Sequence, residues 1–435
     1  MPPKPAQRTP RIAALSIDDD RDKLISVLLL AFWTVAVLWQ QWGQWAEDLS
    51  AVYIAGWLWQ SGQGALIYDT PPAFFGGIAE SWQPAMAAMG IADESSFAYV
   101  YPPIWAVLTA PLTEILSPQG FFNAAALIQI PLLAASVWLA GRLIKPAAMP
   151  WWVWTAIGLL TLTLSVQTYL AIRHNQPTIT VGFLILLAFE RLQYGRPLTA
   201  GGALAVAASV KLTPAFLVLI FLLDRQWRAA AYFTTIGAAL GLISVGISGW
   251  PAHQAFLQSL ALVKDVAYLI AINTSILPTT LAIGSALGLL PPIDPEATQF
   301  VFTAVPRWLS PTIAITALLI TIAFGQVLYR LPGDARRAIS LFAFSIILAL
   351  FGPLGWLHYY VLPMLLLPGL LGILPRRTAI TLIALVGVPS LTPVFAQIGA
   401  LPWPVAHYTW LMCTVWLIVL AALFAAASRM PKEPA

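Results

Sequence analysis

Between Leu24 and Gly141 the chain contains no lysine and no arginine, although it carries seven acids there. Loops held on the cytoplasmic side of a membrane are enriched in those bases, so the absence argues against a cytoplasmic loop in this stretch. Charge is scarce throughout. Only 9% of the 435 residues are charged and 59% are hydrophobic, whereas a soluble domain carries about 25% charged residues. A soluble protein is thereby excluded. The single cysteine, Cys413, excludes an intrachain disulfide. The four histidines are scattered, no zinc-ligand spacing, P-loop or dinucleotide fingerprint occurs, and the acids around Glu47-Asp48 form no DxD pair. No metal and no cofactor is expected. The net charge of +4 is not a nucleic-acid signal, because the bases sit at the ends of apolar runs, where they set orientation.

What is present is hydrophobic runs, near 24–42, 103–117, 120–141, 151–171, 176–192, 199–223, 229–249, 308–330, 337–352, 357–374, 378–395 and 405–427. They predict an all-α polytopic membrane protein of about twelve helical segments. One transmembrane domain is expected over 24–428, between a disordered cytoplasmic tail at 1–23 and a short one at 429–435. Two connections are long, 43–102 and 250–307. The charge rule places both outside and both termini inside. The stretch 103–223 admits two readings. Either every run crosses, or 103–117 and 199–223 dip in and return, which sets Arg142, Lys145, Arg191 and Arg196 inside. The second obeys the charge rule better; the runs alone decide neither.

The first long connection opens with EDLSAVYIAGWLWQSGQGALIYD, residues 47–69. Apolar residues at helical spacing predict a short helix after Asp48, closed by Gly62. It is too short to span and is expected to lie at the outer interface, with Trp57 and Trp59 at headgroup depth. Asp48 reads either as its N-cap or as a base at the water–lipid boundary, made more basic by partial desolvation. Asp69, Asp93 and Glu94 read as solvated loop acids. Lys211, in ASVKLTPAF, lies inside an apolar run with no acid within helical reach. A charge there costs at least about 2.5 kcal/mol unless paired. It reads either as paired with a carbonyl at a kink near Pro214 or as bound to a lipid phosphate. His358 follows the GPLG break in FGPLGWLHYY and reads as buried and neutral or as a donor to an anion. Asn273 and Ser275, in INTSILPTT, read as a helix start, which is also an anion site. Tyr53, Tyr101, Arg173 and Trp356 are candidate pocket residues. Arg173 opens a polar knot, RHNQP.

The order of these pieces, from SGQGALIYD through YPPIWAVLTAPL, RHNQP, SVKLTP, NTS and GPLGWLHYY, resembles the family 87 glycosyltransferases of the GT-C superfamily. That group includes bacterial polyprenyl-phosphate-mannose-dependent mannosyltransferases of the phosphatidylinositol mannoside type. The resemblance covers about 24–375. It implies a many-helix membrane fold in the bacterial inner membrane, with the pocket on the outer face. It also implies a polyprenyl-phosphate sugar as donor, a lipid or glycan acceptor, and inversion at the sugar carbon. The family's essential acid falls on Asp48, its histidine on His358, its lysine on Lys211 and its Asn-x-Ser on Asn273 and Ser275. Family members usually carry Gly-Gln and then Asn where this chain has His174-Asn175-Gln176. A transporter or lipid flippase is the competing class, since polytopic architecture alone fits it equally well.

Overall fold

The computed structural model describes residues 19–71, 74–75, 77–290, 292, 301–401 and 404–432. Its helices are α1 (Asp19–Gln41), α2 (Glu47–Gln60), α3 (Gln83–Ala88), α4 (Pro103–Ile115), α5 (Pro118–Ile144), α6 (Trp151–Leu164), α7 (Val166–Arg173), α8 (Thr178–Gln193), α9 (Pro197–Val210), α10 (Val218–Leu223), α11 (Trp227–Ser248) and α12 (Trp250–Asp265). Strand β1 (Val266–Leu269), α13 (Ile276–Ala286) and β2 (Val301–Ala304) follow. The chain ends in α14 (Leu309–Leu328), α15 (Gly333–Phe351), α16 (Val361–Leu366), α17 (Leu370–Ile373), α18 (Arg376–Ser390), α19 (Thr392–Gly399) and α20 (Pro404–Arg429). Of the expected amino-terminal tail, residues 1–18 lie outside the described residues, and Asp19–Lys23 already belong to α1. Residues 433–435 of the other tail also lie outside them.

Every expected apolar run is helical, because a backbone deprived of water must satisfy its own hydrogen bonds. They are not all single long helices, however. Among the described residues five helices are long and apolar enough to cross a membrane: α1, α5, α11, α14 and α20. Three runs are broken: at Ser165 between α6 and α7, at Lys211 between α9 and α10, and at Leu391 between α18 and α19. Two of these breaks repair each other. Ser165 and Leu391 form an antiparallel bridge, and Gln167 Nε2 donates to Ser390 Oγ across it at 2.9 Å.

Contacts between helix ends decide the stretch 103–223. Asp22, at the start of α1, accepts from the first amides of α6, Trp151 N and Trp152 N, both at 2.7 Å. Arg142, at the end of α5, pairs with Glu190 at the end of α8, 3.0 Å away. Gly201, early in α9, lies so close to α11 that a Cβ would come within 2.5 Å of Ala229 O. Just ahead of α11, Asp224 is gripped by Arg336 at 2.8 Å and Arg337 at 2.6 Å. Arg142, Lys145, Arg191, Arg196, Arg336 and Arg337 therefore gather at the end of the bundle where α1 begins. At the opposite end, Gly43 N after α1 donates to Asn123 Oδ1 at the start of α5. Helix α9, about 21 Å long, rises from the basic end to Lys211, and α10 returns to Asp224. Helix α4 stays at the far end, packed on α2. The reading in which 103–117 and 199–223 dip and return is the one the packing selects.

The far end carries its own small core. Nearly every side of α2 is buried, by α4 and by the segment 82–101. Gly56 permits the contact, since a Cβ there would meet Thr109 at 2.8 Å. Helix α2 is thus enveloped by protein rather than laid on the bilayer as expected. Gly62, with φ +74°, ends it in the left-handed conformation that glycine accepts without cost. The second long connection adds α12 and the antiparallel pair β1–β2, with Val266 opposite Ala304.

Candidate active site

A cavity of about 530 Å³ opens among the elements of the far end. Its walls come from α2, the 97–102 segment, α5, the α7–α8 turn, the break after α9, α12 and the 352–362 segment. The lining is mostly apolar, with a few convergent polar groups, as small-molecule sites are. Asp48, His174, Gln176, Thr178, Lys211 and His358 supply most of that polarity.

Asp48 is in the first turn of α2 and caps nothing; the N-cap is Ala46. Its carboxylate faces the cavity and accepts a hydrogen bond from Gln176 Nε2. Burial raises its pKa above the ordinary aspartate range, against the opposing pull of His174 and Lys211. The adjacent Glu47 is pushed the other way, to about 2. His174 beside its carboxylate and a hydrogen bond from Ser95 outweigh its partial burial. The His174 Nδ1–Glu47 distance is 3.2 Å and Ser95 Oγ lies 2.8 Å from the carboxylate. Neighbouring carboxylates with divergent environments divide their tasks. Glu47 stays charged, while the Asp48 carboxyl holds its proton more tightly than an ordinary aspartate.

Lys211 is where α9 stops, with extended backbone (φ −136°, ψ 135°). Its ammonium donates to Thr178 Oγ1 at 2.7 Å and to Gln176 Oε1 at 3.3 Å. It also stands 4.8 Å from the Tyr359 ring centroid and 5.8 Å from that of Tyr101. The alternative of a carbonyl partner at a kink near Pro214 is not what holds it. Cation–π contacts and two neutral oxygens keep the charge in place and leave it uncompensated by direct ion pairing among the described residues.

His358 is 7% exposed and lines the cavity, and its Nε2 has no hydrogen-bond partner among the described residues. A buried imidazole nitrogen without a partner is costly unless a ligand supplies one. The segment bearing it is fastened from below. Asn273 Oδ1 accepts from Gly355 N at 2.8 Å, and its Nδ2 donates to Tyr268 O at 2.8 Å. Gly355 is obligatory, because a Cβ would sit 2.5 Å from Thr274 O.

The structure therefore brings Asp48, Lys211, His358, Tyr101 and Trp356 to one cavity and leaves other expected residues out. Asn273 and Ser275 are fully buried beneath the 355–358 segment and do not line the cavity, so they are fasteners here rather than phosphate ligands. Ser275 is the N-cap of α13, but its side chain caps nothing and instead donates to Asn273 Oδ1 at 3.3 Å. Tyr53 points away and donates to Leu116 O at 2.7 Å. Arg173 does not line the cavity either. It donates to Trp45 O at 2.6 Å and ties the end of α7 to the turn before α2. Asn273→Ala would orphan the Gly355 amide and the Tyr268 carbonyl, at about 1–3 kcal/mol each. It is expected to lower the Tm in detergent by a few degrees and, by loosening the cavity wall that carries His358, to lower activity. Calorimetry and initial rates on the same preparation check both.

Gln176 and its neighbours are the part that sequence reasoning missed. Asn175 adopts φ +49°. Its side chain donates to Phe122 O at 2.9 Å and accepts from Gln129 Nε2 at 2.8 Å. That lock aims Gln176 into the cavity. The signal was the knot itself, an amide pair and a proline between two apolar runs.

Comparison with known proteins bears on the same region. Residues 99–357 match the family model described as Glycosyltransferase family 87. The chain is also 26% identical, over 361 residues, to the polyprenol-phosphate-mannose-dependent alpha-(1-2)-phosphatidylinositol mannoside mannosyltransferase of Mycobacterium tuberculosis (strain ATCC 25618 / H37Rv). The alignment covers 77% of this chain and 78% of that one. The family match begins after Asp48 and ends one residue before His358, and it contains Gln176, Thr178 and Lys211. With its apolar spans and its cavity at one end of the bundle, the chain is a multi-pass membrane glycosyltransferase belonging to family 87.

Proposed function

We propose that the protein transfers a sugar, with mannose favoured, from a polyprenyl-phosphate donor to a lipid or glycan acceptor, using Asp48 as general base. The observation that carries this reading is one cavity holding a proton-accepting carboxylate, an uncompensated ammonium and an unpartnered buried imidazole. A donor of this class is already activated, so two kinds of help suffice. Asp48 accepts the proton of the acceptor hydroxyl as its oxygen attacks the sugar's anomeric carbon. Lys211 Nζ and His358 Nε2–H donate to the phosphate oxygens as the carbon–oxygen bond breaks and its electron pair leaves with the polyprenyl phosphate. Attack from the face opposite the leaving group inverts the configuration. No metal or cofactor is assigned a step.

The basic end of the bundle, by the charge rule, is cytoplasmic. The cavity then opens on the outer face of a bacterial inner membrane, and α1 begins inside. The relative's name supports a mannosyl donor and a phosphatidylinositol mannoside-like acceptor. Purified protein in lipid vesicles, given radiolabelled polyprenyl-phosphate mannose and the total lipid extract of its own cells, is expected to move label into a glycolipid. Label that stays on the polyprenyl phosphate, while a different polyprenyl-phosphate sugar is consumed, would overturn mannose. Consumption of none would overturn the donor class.

A further inference from the structure

We infer that Gln176 is a positioning residue that holds the base and the phosphate-binding cation apart and orients both. This rests on Asp48 and Lys211 acting as proposed above. Gln176 is 3% exposed, and both halves of its amide are engaged. The NH2 donates to Asp48 Oδ2 and the carbonyl accepts from Lys211 Nζ at 3.3 Å. The reverse orientation would point the carbonyl at a carboxylate and the NH2 at an ammonium, so electrostatics selects this one. Thr178 Oγ1, 3.4 Å from Gln176 Oε1, completes the cradle of the lysine. The backbone cannot drift, because Asn175 is tied to α5 through Gln129 and Phe122 O.

Charges of opposite sign in a cavity of low polarity otherwise collapse into an ion pair. A carboxylate so paired is a weak base, and an ammonium so paired is a poor phosphate ligand. An amide spacer prevents that. It satisfies one carboxylate oxygen and leaves the other for the acceptor hydroxyl, and it leaves the remaining ammonium protons for the donor. The site is thus preorganised with its charges separated.

The test follows the protonation of Asp48, whose charged and titratable neighbours are Glu47, Tyr101, His174, Lys211, His358 and Tyr359, with Arg173 behind them. Full-length protein in detergent is labelled with a hydrophobic carbodiimide, which reacts with protonated carboxyl groups, across a pH series. Modification of Asp48 is read by peptide mass spectrometry. In Gln176→Met, which keeps the length and removes the spacer, Asp48 can pair directly with Lys211, and the labelling midpoint should fall by about one pH unit relative to wild type. In Gln176→Glu, which keeps the shape and adds a like charge, it should rise instead. Donor turnover at neutral pH should fall at least tenfold in both, with partial recovery at higher pH only in Gln176→Glu. A midpoint unchanged in both variants would overturn the proposal, as would unchanged turnover in both. Gln176→Glu preserves the side-chain volume, so the readout survives if Gln176→Met folds poorly. Activity retained by Asp48→Asn would instead remove the base reading, and the labelling series would still report whether Gln176 governs the Asp48 carboxyl.

Discussion

Replacement of Asp48 by asparagine is expected to reduce sugar transfer by about 10²–10⁴-fold, the range contributed by a positioned general base, without weakening the fold. The substitution keeps the side chain's shape and can still accept from Gln176, so the cavity survives. Its effect on stability has a definite sign. The Asp48 carboxyl has its pKa raised by burial in the folded protein, so the folded state holds that proton more tightly than the unfolded one. Stability then falls as pH rises through the window between the ordinary aspartate value and the raised one. Above that window the folded protein carries the cost of the buried charge, which asparagine removes. The Tm of Asp48→Asn at neutral pH should equal or exceed that of wild type while turnover collapses. Lost activity accompanied by a lowered Tm would instead mark Asp48 as structural. The pH profile supplies an independent check. The working form is the carboxylate, so wild-type kcat/KM should fall with acidification at an inflection above the ordinary aspartate pKa. Glu47, held near 2, is ionised throughout and cannot produce that limb. An inflection at or below the usual carboxylate range would assign the base elsewhere.

The residues legible in the sequence are those whose type is expensive where it stands. Lys211 inside an apolar run had to be paired, bound or functional, and the acids after a span devoid of bases had to face water or do chemistry. The helices were legible for the same reason, since desolvated backbone leaves few alternatives. Which runs cross was not legible, because that depends on where helix ends meet. The Asp22 contact to Trp151 and the Arg142–Glu190 pair carry that information, and both link residues distant in sequence. Gln176 was illegible for a related reason. An amide between two spans looks like ordinary loop chemistry until its partners, 128 and 35 residues away, are known. Asn273 and Ser275 were legible as polar groups that needed partners, and the error lay in the partner. They satisfy the loop bearing Trp356 and His358 rather than a ligand. The surroundings of α2 misled in the same way. Its exposed-looking aromatics are covered by Trp82, Tyr99 and their neighbours, which arrive from the far side of a long connection.

Lys211→Met should raise the donor KM or Kd by about 100-fold, with a much smaller change in the affinity for the acceptor. Methionine matches the length of the lysine stem and can occupy the space between the Tyr101 and Tyr359 rings, so packing is conserved. What disappears is the ammonium. A bound phosphate would then face Tyr359 and an imidazole with no cation, and removing one member of a desolvated ion pair costs about 3 kcal/mol or more. The fold should tolerate the change, because in the free protein the lysine is held only by Thr178, the Gln176 carbonyl and two ring faces, and burying its charge is itself unfavourable. Arginine should not rescue. Its planar fork cannot reproduce the point-charge contacts to Thr178 Oγ1 and Gln176 Oε1, so the exchange is not conservative. The acid limb of kcat/KM should also move to higher pH in Lys211→Met, because the lysine charge lowers the Asp48 pKa. Two independent readouts, donor binding by a fluorescent polyprenyl-phosphate analogue and the position of the acid limb, thus shift together if one ammonium serves both the phosphate and the base. A donor Kd within threefold of wild type would leave the leaving group to His358 alone.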